Sequence, residues 1–303
     1  MSAYDRFIAF RKSLPRTPKL EKQTVKARGV SFAVFSSAPV AGTLPLLCVN
    51  GGMLYDHSML WPALSPLAAT RQVILYDQRG RGASTAPANP SESSIEDDAA
   101  DIAALRRALG IRRWDVFGHS WGGGISMLAV AGDVAGVRKL VMADPVWNTS
   151  NWMAPLRRNV IDRLQGEQRA AVERISEESL GNPDPVLHNA YAQAVYPSWF
   201  ADADMASHFV PPVALSETGT ATLARLRRDG YDWRPLTSGV SVPTLVIHGD
   251  ADPLPLETPQ QPLTVSRSSS YIGIDAHVVV VPSGHMPFWE APERFFELVN
   301  SFL

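Results

Sequence analysis

The chain has 303 residues, 45% of them hydrophobic and 19% charged, and its 28 Lys and Arg against 30 Asp and Glu give a formal net charge of −2. This share of apolar side chains supports a sizeable core and excludes an intrinsically disordered chain. The near-zero net charge argues against a nucleic-acid partner, and the lack of an apolar run of about 18 residues argues against a membrane partner.

Cysteine content and the amino-terminal segment indicate the compartment. Cys48 is the only cysteine, which excludes an intrachain disulfide and a zinc site built from thiolates. Its place within the apolar run 44–49 predicts a buried, unreactive side chain. Residues 1–16 mix charged with apolar side chains and therefore lack the core of a signal peptide. We expect a soluble, cytoplasmic protein.

Short apolar runs alternate with helical patterns in the first half of the chain, which predicts an α/β fold with a mostly parallel sheet and helices on both faces. Ser93 and Glu96 are expected to form the capping box of the first of these helices. The predicted strands are 44–49, 72–76, 114–117 and 137–143, and the predicted helices are 93–110 and 120–131.

The alternation stops after Pro145 and returns near Pro243. The stretch between them reads as helices separated by Pro, Gly and aromatic residues, and it holds four of the eight tryptophans. We therefore predict a helical cap subdomain, residues 146–241, inserted into a core domain made of residues 1–145 and 242–303. Its aromatic side chains favour a largely apolar pocket beneath the cap.

The last part of the chain returns to the α/β pattern. Strands are predicted at 244–248 and 277–281, followed by a closing helix from Pro292 to Leu303. The Ser-rich segment 261–270 is predicted to be a surface loop or a frayed helix.

The strongest motif lies between the predicted strand 114–117 and the helix after it. The run Gly118-His119-Ser120-Trp121-Gly122 fits G-x-S-x-G, the nucleophile elbow, in which a sharp turn projects the serine hydroxyl from the edge of the sheet. The helix that follows presents its amino terminus to developing negative charge. Ser120 is therefore the predicted nucleophile, and a hydroxyl nucleophile needs an adjacent base.

The base and its acid are expected downstream, because in folds with this elbow the chain order is Ser, then Asp or Glu, then His. His285, in the loop after the last predicted strand, is the predicted base. Asp252 is the favoured acid because it stands far enough beyond its strand to lean toward that loop. Asp250 and Asp144 remain as alternatives.

Acyl transfer also needs hydrogen-bond donors for the oxyanion. One is expected to be the amide of Trp121, and the other the amide of Gly52, with Met53 as the alternative. Of the remaining histidines, His57 and His119 are the ones most expected to reach the pocket. The residues predicted to line the substrate pocket are Asn50, His57, His119, Trp147, Trp199, Glu217 and Met286.

Together these motifs resemble the α/β-hydrolase superfamily from about Val30 to Leu303, and within it the proline iminopeptidase-like serine hydrolases. The segment 77–84, D-Q-R-G-R-G-A-S, matches that group's D-Q-R-G-x-G-x-S pattern, and G-H-S-W-G-G matches its nucleophile turn. The group's oxyanion loop usually reads H-G-G-P-G, whereas residues 50–54 here read N-G-G-M-L. Asp77 and Arg79 are expected to be structural ties beside that loop.

The resemblance implies an α/β-hydrolase fold with an inserted helical cap. It also implies enzymes that hold a substrate's free amino terminus with carboxylates of the lid. Glu217, Asp202 and Asp204 are the candidate counterparts here, although none lies in a motif that matches the group.

The predicted function is a cofactor-independent serine hydrolase, needing no metal, that cleaves a carboxylic ester or amide bond of a small molecule through an acyl-enzyme on Ser120. A broader ester or amide hydrolase is favoured over an aminopeptidase. A lactonase, a carbon–carbon bond hydrolase or a hydroxynitrile lyase with the same triad is the alternative. A non-catalytic ligand-binding receptor on the same fold is the remote one. The oligomeric state is left open.

Overall fold

The computed structural model describes residues 2–254, 267–269 and 276–303, and of Ala3 and residues 267–269 the backbone alone. Within these residues the strands form one nine-stranded sheet. The strands are β1 Glu21–Ala27, β2 Val30–Ser36, β3 Leu46–Val49, β4 Val73–Tyr76, β5 Trp114–His119, β6 Val137–Ala143, β7 Thr244–Gly249, β8 Arg267–Ser269 and β9 Ala276–Val281.

The helices of the described residues fall before, between and after these strands. They are α1 Ala3–Ser13, α2 Ile95–Ala108, α3 Trp121–Gly132, α4 Met153–Arg163, α5 Gly166–Arg174, α6 Glu177–Leu180, α7 Pro185–Val195, α8 Ala203–Ser207, α9 Glu217–Asp229, α10 Arg234–Thr237, α11 Pro287–Glu290 and α12 Pro292–Phe302.

The sheet has the order β1-β2-β4-β3-β5-β6-β7-β9-β8. Its six central strands, β4, β3, β5, β6, β7 and β9, run parallel, while β2 pairs antiparallel with β4, β1 with β2, and β8 with β9. The carboxyl ends of the parallel strands therefore meet at one edge, where open α/β sheets place their ligands. The predicted fold class is confirmed.

Two apolar cores cover the two faces of the sheet, and β3 shows how they are divided. Leu47 and Val49 belong to the core that packs against α2 and α3, whereas Leu46 and Cys48 belong to the core that packs against α12. Successive side chains of a strand point to opposite faces, so a continuous apolar run indicates a strand buried on both sides. Cys48 is buried, as its position predicted.

Two details of the predicted elements were wrong. The helix α2 has Ser94 and Asp97 as its capping box instead of Ser93 and Glu96, because Ser93 closes a short 3₁₀ turn at Pro90–Glu92. Within the segment 261–270, which was predicted to be a loop or a frayed helix, Arg267–Ser269 forms the strand β8. The rest of that segment lies outside the described residues.

The stretch between β6 and β7 contains the helices α4 to α10, and we refer to residues 146–241 as the helical insertion. It holds a small apolar cluster of its own, formed by Val160, Leu164, Val172 and Val195. Other members join the two sheet cores, Trp233 on one side and Phe200 on the other. The insertion is thus anchored to the sheet while it keeps a separate interior.

No helix of the described residues is both long enough and apolar enough to cross a lipid bilayer.

Candidate active site

Ser120 stands at the turn between β5 and α3 with φ +54° and ψ −121°, a backbone conformation that costs energy for any residue with a side chain. Two backbone hydrogen bonds hold Ser120 in this conformation. Its N–H donates to the carbonyl of Ala143 at 2.9 Å, and its carbonyl accepts from the N–H of Gly123 at 2.9 Å. A side chain at position 122 would collide with the carbonyl oxygen of Val49, so only glycine allows this turn to approach β3. The predicted elbow is present.

His285 follows β9 and Asp252 follows β7, and their side chains meet. His285 Nδ1 lies 2.7 Å from Asp252 Oδ2, and the other carboxylate oxygen accepts from the Leu254 amide at 2.8 Å. The backbone N–H of His285 donates to the carbonyl of Trp199 in the helical insertion at 2.7 Å. With its Nδ1 proton directed at Asp252, the ring presents Nε2 as an acceptor. Ser120 and His285 line the same cavity.

The electrostatics of this pair favour a neutral imidazole. Burial, helped by the positive charge of Arg163, lowers the pKa of His285 to about 3. Burial raises the pKa of Asp252 to about 7. An imidazole that is unprotonated at neutral pH and directed by a carboxylate is what a general base requires.

Asp144, one of the two alternative acids, lies behind this pair. It is fully buried with φ +46°, and its Oδ1 accepts from the Gly249 amide at 2.8 Å and lies 3.5 Å from His248 Nδ1. Its carboxyl group faces that of Asp252, and burial together with the charge of Asp252 holds the pKa of Asp144 well above its usual range. We infer that Asp144 keeps its proton and donates it to Asp252, because two carboxyl groups form a hydrogen bond only when one is protonated.

Asp250, the other alternative, is exposed, and its amide donates to the carbonyl of Val281. Of the three acids, Asp252 is therefore the one hydrogen bonded to His285.

The loop after β3 carries the predicted oxyanion donors. Gly52 has φ +71° and Met53 φ +26°. In the part of the chain that the structure describes, the amides of Gly52, Met53 and Trp121 have no hydrogen-bond acceptor. A side chain at position 51 would lie 2.7 Å from Cβ of Ser120, so this loop and the elbow approach as closely as glycine permits. Unpaired amides beside a nucleophile can stabilise an oxyanion.

Three residues hold this loop, and the sequence analysis assigned that role to none of them. Asn50 Nδ2 donates to the carbonyl of Tyr55 at 3.1 Å, and Gln78 Nε2 donates to the carbonyl of Asn50 at 2.9 Å. Arg81 Nε donates to the carbonyl of Met53 at 2.8 Å. Gln78 is a fixed position of the D-Q-R-G-x-G segment, so that motif was a signal for its role, whereas Arg81 stands at the variable position x, for which the motif gives no signal.

The cavity at the elbow has a volume of about 180 Å³ and lies between the sheet edge and the helical insertion. Its lining includes the predicted His119, Trp199 and Met286 as well as Gly52, Met53 and Trp121. It also includes residues of the insertion that the sequence analysis did not single out, chiefly Trp152, Arg157, His188, Tyr191 and Arg227. Among all the described lining residues there is no Asp or Glu.

Four of the predicted pocket residues lie elsewhere, each for a local reason. Asn50 points into its own loop, where it holds Tyr55. His57 stacks on Phe35 with 3.7 Å between ring centres and is fixed by Asp77 at 2.7 Å. Trp147 belongs to a sheet core instead of the cavity, and Glu217 is exposed at the start of α9.

Asp202 and Asp204, the other candidate amine ligands, also lie outside the lining, at the start of α8.

The chain is similar in sequence to a family of known hydrolases and to individual members of it. The family model described as the alpha/beta hydrolase fold matches residues 45–292. The chain is 23% identical over 290 residues to a proline iminopeptidase of Heyndrickxia coagulans, covering 90% of this chain and 94% of that one. It is 26% identical over 279 residues to one of Lactobacillus delbrueckii subsp. bulgaricus, covering 86% and 89%. The resemblance predicted from the motifs is confirmed.

Among solved structures, an enol-lactonase from Burkholderia xenovorans LB400 superposes with a TM-score of 0.66 at 22% identity, covering 92% of this chain and 99% of that one. Likeness at this identity shows a shared fold.

Proposed function

The chain belongs to the α/β-hydrolase fold family, and we propose that it is a serine hydrolase that cleaves an ester or amide bond through an acyl-enzyme on Ser120. The observation that carries the proposal is the contact of 2.7 Å between His285 Nδ1 and Asp252 Oδ2, in a cavity that Ser120 also lines. A nucleophile, an oriented base and unpaired amides in one place are what acyl transfer requires.

The proposed reaction follows from these groups. His285 Nε2 takes the hydroxyl proton as Ser120 Oγ attacks the carbonyl carbon, and the amides of Gly52 and Trp121 stabilise the oxyanion. The imidazolium then gives its proton to the leaving group as the bond to the carbonyl carbon breaks. Water, deprotonated by the same nitrogen, then adds to the acyl carbon. The bond between that carbon and Ser120 Oγ breaks, the imidazolium returns its proton to Oγ, and the acid is released. Asp252 stabilises the transient positive charge on the ring.

Esterase activity is favoured over aminopeptidase activity on one specific ground. An enzyme that removes an amino-terminal residue must bind a substrate ammonium group, and a buried cation needs an anionic partner. No carboxylate is found among the cavity's described lining residues. Iminopeptidase activity is the second candidate, and the two curated relatives named above favour it.

We also propose that the helical insertion serves as a cap subdomain over the core formed by residues 1–145 and 242–303. The proposal is supported by the cavity lining, which residues of α4, α7 and α9 complete. A cap of this kind excludes water and sets which acyl groups fit.

Steady-state kinetics of the Ser120→Ala variant test the proposed function. Hydrolysis of p-nitrophenyl butyrate should lose at least about 10³-fold in kcat, because the remaining groups supply only binding and oxyanion stabilisation. Ser126→Ala is the matched control: Ser126 is buried in α3, the helix that follows Ser120, outside the cavity lining, and should keep activity within about twofold. Wild-type turnover by Ser120→Ala would overturn the proposal. A panel with L-proline p-nitroanilide separates the two candidate activities.

A further inference from the structure

Three helices of the insertion each present one stripe of side chains to the cavity. Residues spaced three and four apart share a helix face, so each stripe is continuous. Apart from Arg157, Arg227, His188 and Tyr191, these stripes consist of apolar side chains. The stripes are Met153, Leu156, Arg157 and Val160 on α4, His188, Tyr191, Ala192 and Val195 on α7, and Leu223 and Arg227 on α9.

The two arginines meet at Tyr191. Their guanidinium carbons lie 5.8 Å (Arg157) and 5.2 Å (Arg227) from the centre of its ring. Both also contact Glu177, at 3.1 Å from Arg157 Nη1 and at 2.7 Å from Arg227 Nη1. Two cations share one carboxylate that is itself about half exposed, so the cluster keeps a net positive charge.

The arginines differ in their unused donors. Arg157 donates to the carbonyls of Val172 and Ile175 and to the hydroxyl of Tyr191, which marks it as a tie within the insertion. Arg227 Nε, by contrast, is buried and has no hydrogen-bond partner among the described residues. A buried charged donor without an acceptor is costly, and a ligand oxygen would satisfy it.

The surroundings do not neutralise this charge. His188, next to the cluster in the lining, adds no charge of its own near neutral pH, because burial, and to a lesser degree the charge of Arg227, lowers its pKa. Glu177 is the acid that contacts the guanidinium groups, and the described lining holds no Asp or Glu. In a cavity lined mostly by apolar side chains an unbalanced positive charge attracts an anion and repels an ammonium group.

We propose that this cavity takes esters that carry a carboxylate, with the carboxylate bound by Arg227 while the ester carbonyl lies at Ser120. The inference rests on the proposed function and narrows its substrate class. The side chains that occupy the stripes around the arginines suit a methylene chain between the two groups. Guanidinium binds a carboxylate through two parallel hydrogen bonds, which gives selectivity as well as affinity.

Wild-type enzyme tests the inference with two matched series of esters. Monomethyl esters of linear dicarboxylic acids are compared with methyl alkanoates of the same chain length, and methanol release is measured. At the best length, kcat/KM for the acid should exceed that for the neutral ester by at least about tenfold, which corresponds to about 1.4 kcal/mol. Acetate esters of ω-hydroxy acids carry the carboxylate on the alcohol side instead. They show whether Arg227 binds a carboxylate on the acyl side or on the alcohol side of the ester.

Variants at Arg227 assign the preference to its charge. In Arg227→Met the ratio of kcat/KM for acidic to neutral esters should fall at least about tenfold, and in Arg227→Lys most of the ratio should remain. Arg228→Met is the control, because Arg228 follows on the same helix with its side chain 58% exposed, and it should keep the wild-type ratio.

Each result decides the inference, including the case in which Arg227→Met does not fold, because the wild-type comparison stands alone. A wild type that prefers neutral esters at every length, or that prefers prolyl amides to half-esters, overturns it, as does an unchanged ratio in folded Arg227→Met. Hydrolysis of neutral esters without an acid preference leaves the proposed function intact. Failure to hydrolyse any ester or amide, with Ser120 unreactive, overturns both.

Discussion

At the residue scale, three aspartates were candidates for the acid that orients His285, and their surroundings explain why the sequence did not decide between them. Asp144, Asp250 and Asp252 all follow strands that end at the same edge of the sheet, so their positions in the chain do not separate them. Two observations in the structure separate them: Asp252 is hydrogen bonded to His285 at 2.7 Å, and Asp250 is exposed. The pairing of Asp144 with Asp252 has no signal in the sequence, because it depends on how two loops approach each other. The catalytic role of Asp252 stays a prediction.

Replacing Asp144 tests whether it acts as a neutral donor. Asn also donates to Asp252 and accepts from Gly249, so Asp144→Asn should keep kcat within about threefold. Asp144→Leu leaves the Gly249 amide without its acceptor and removes one donor to Asp252, so it should lower the free energy of unfolding by about 3 kcal/mol and kcat by roughly tenfold or more. Urea denaturation and ester kinetics measure the two. Equal loss in both variants would show that Asp144 acts as a charge.

The same pair predicts how stability depends on pH. Because the pKa of Asp144 is raised in the folded state, its contribution is complete below the usual pKa of an aspartate and is lost as pH rises through the folded value. Asn does not titrate. The free energy of unfolding of Asp144→Asn relative to wild type should therefore increase from pH 5 to pH 8 in urea titrations. A constant difference across this range would contradict a raised pKa at Asp144.

Activity should depend on pH through Asp252. Its pKa is raised to about 7, while that of His285 is lowered to about 3, so Asp252 must lose its proton before it can stabilise an imidazolium. For an uncharged ester, kcat/KM should rise with pH to a plateau, with a midpoint near 7. Asp252→Asn should remove this transition and lower kcat strongly. A value of kcat/KM that stays constant from pH 5 to 9 in the wild-type protein would contradict the control of activity by the titration of Asp252.

At the scale of elements, the loop after β4 holds the loop after β3 in place. Arg81 is fully buried, pairs with Asp98 of α2 through contacts of 2.9 and 3.0 Å, and donates to the carbonyl of Met53. Arg79 extends to Asp101 of the same helix, while Asp77 fixes His57. These contacts are the specific interactions through which the motif has its expected structural role.

Removing the Arg81 guanidinium should separate stability from activity. Arg81→Met leaves Asp98 buried without a partner and should lower the free energy of unfolding by about 3–5 kcal/mol. The double variant Arg81→Met with Asp98→Leu should recover much of that loss and still keep a lowered kcat, because the carbonyl of Met53 no longer has its donor. Urea denaturation and ester kinetics report the two quantities. A double variant as unstable as the single one would contradict this account.

Most elements with a strong local pattern were predicted, but the strand β2 was missed although Val30, Phe32 and Val34 give it a buried apolar face. The strands β3, β4, β5, β6, β7 and β9 are short apolar runs, and their positions agree with the structure within a few residues. The strand β1 has one buried residue in seven, Val25, so it carries no apolar pattern and was missed. The arginines of the cavity were missed as well, since no periodicity tells which face of an inserted helix meets the sheet.

At the scale of the whole molecule, the sheet and the helical insertion differ in how much apolar surface holds them. The two sheet cores contain most of the buried apolar side chains, whereas the interior that belongs to the insertion alone rests on Val160, Leu164, Val172 and Val195. Stability is therefore expected to be lower in the insertion. Cytoplasmic localisation stays a prediction.

Hydrogen exchange measured by mass spectrometry tests this difference. Backbone amides of α5 and α7 should exchange at least about tenfold faster than those of β5 and β6, because fewer buried contacts must open. A phosphonate bound to Ser120 should slow exchange in α4 and α7, whose residues line the cavity. Equal protection of sheet and insertion would contradict the lower stability expected of the insertion, and exchange in α4 and α7 that the phosphonate leaves unchanged would contradict its proposed role as a cap.

The central claim is that Ser120 is a nucleophile activated by His285, and labelling with a fluorophosphonate tests it most directly. Peptide mass spectrometry should find one adduct, on the peptide that contains Ser120. Ser120→Ala should carry no label, His285→Ala should react at least about 100-fold more slowly, and Ser126→Ala should react as wild type. Folded wild-type protein without an adduct, or a labelled Ser120→Ala variant, would contradict the account.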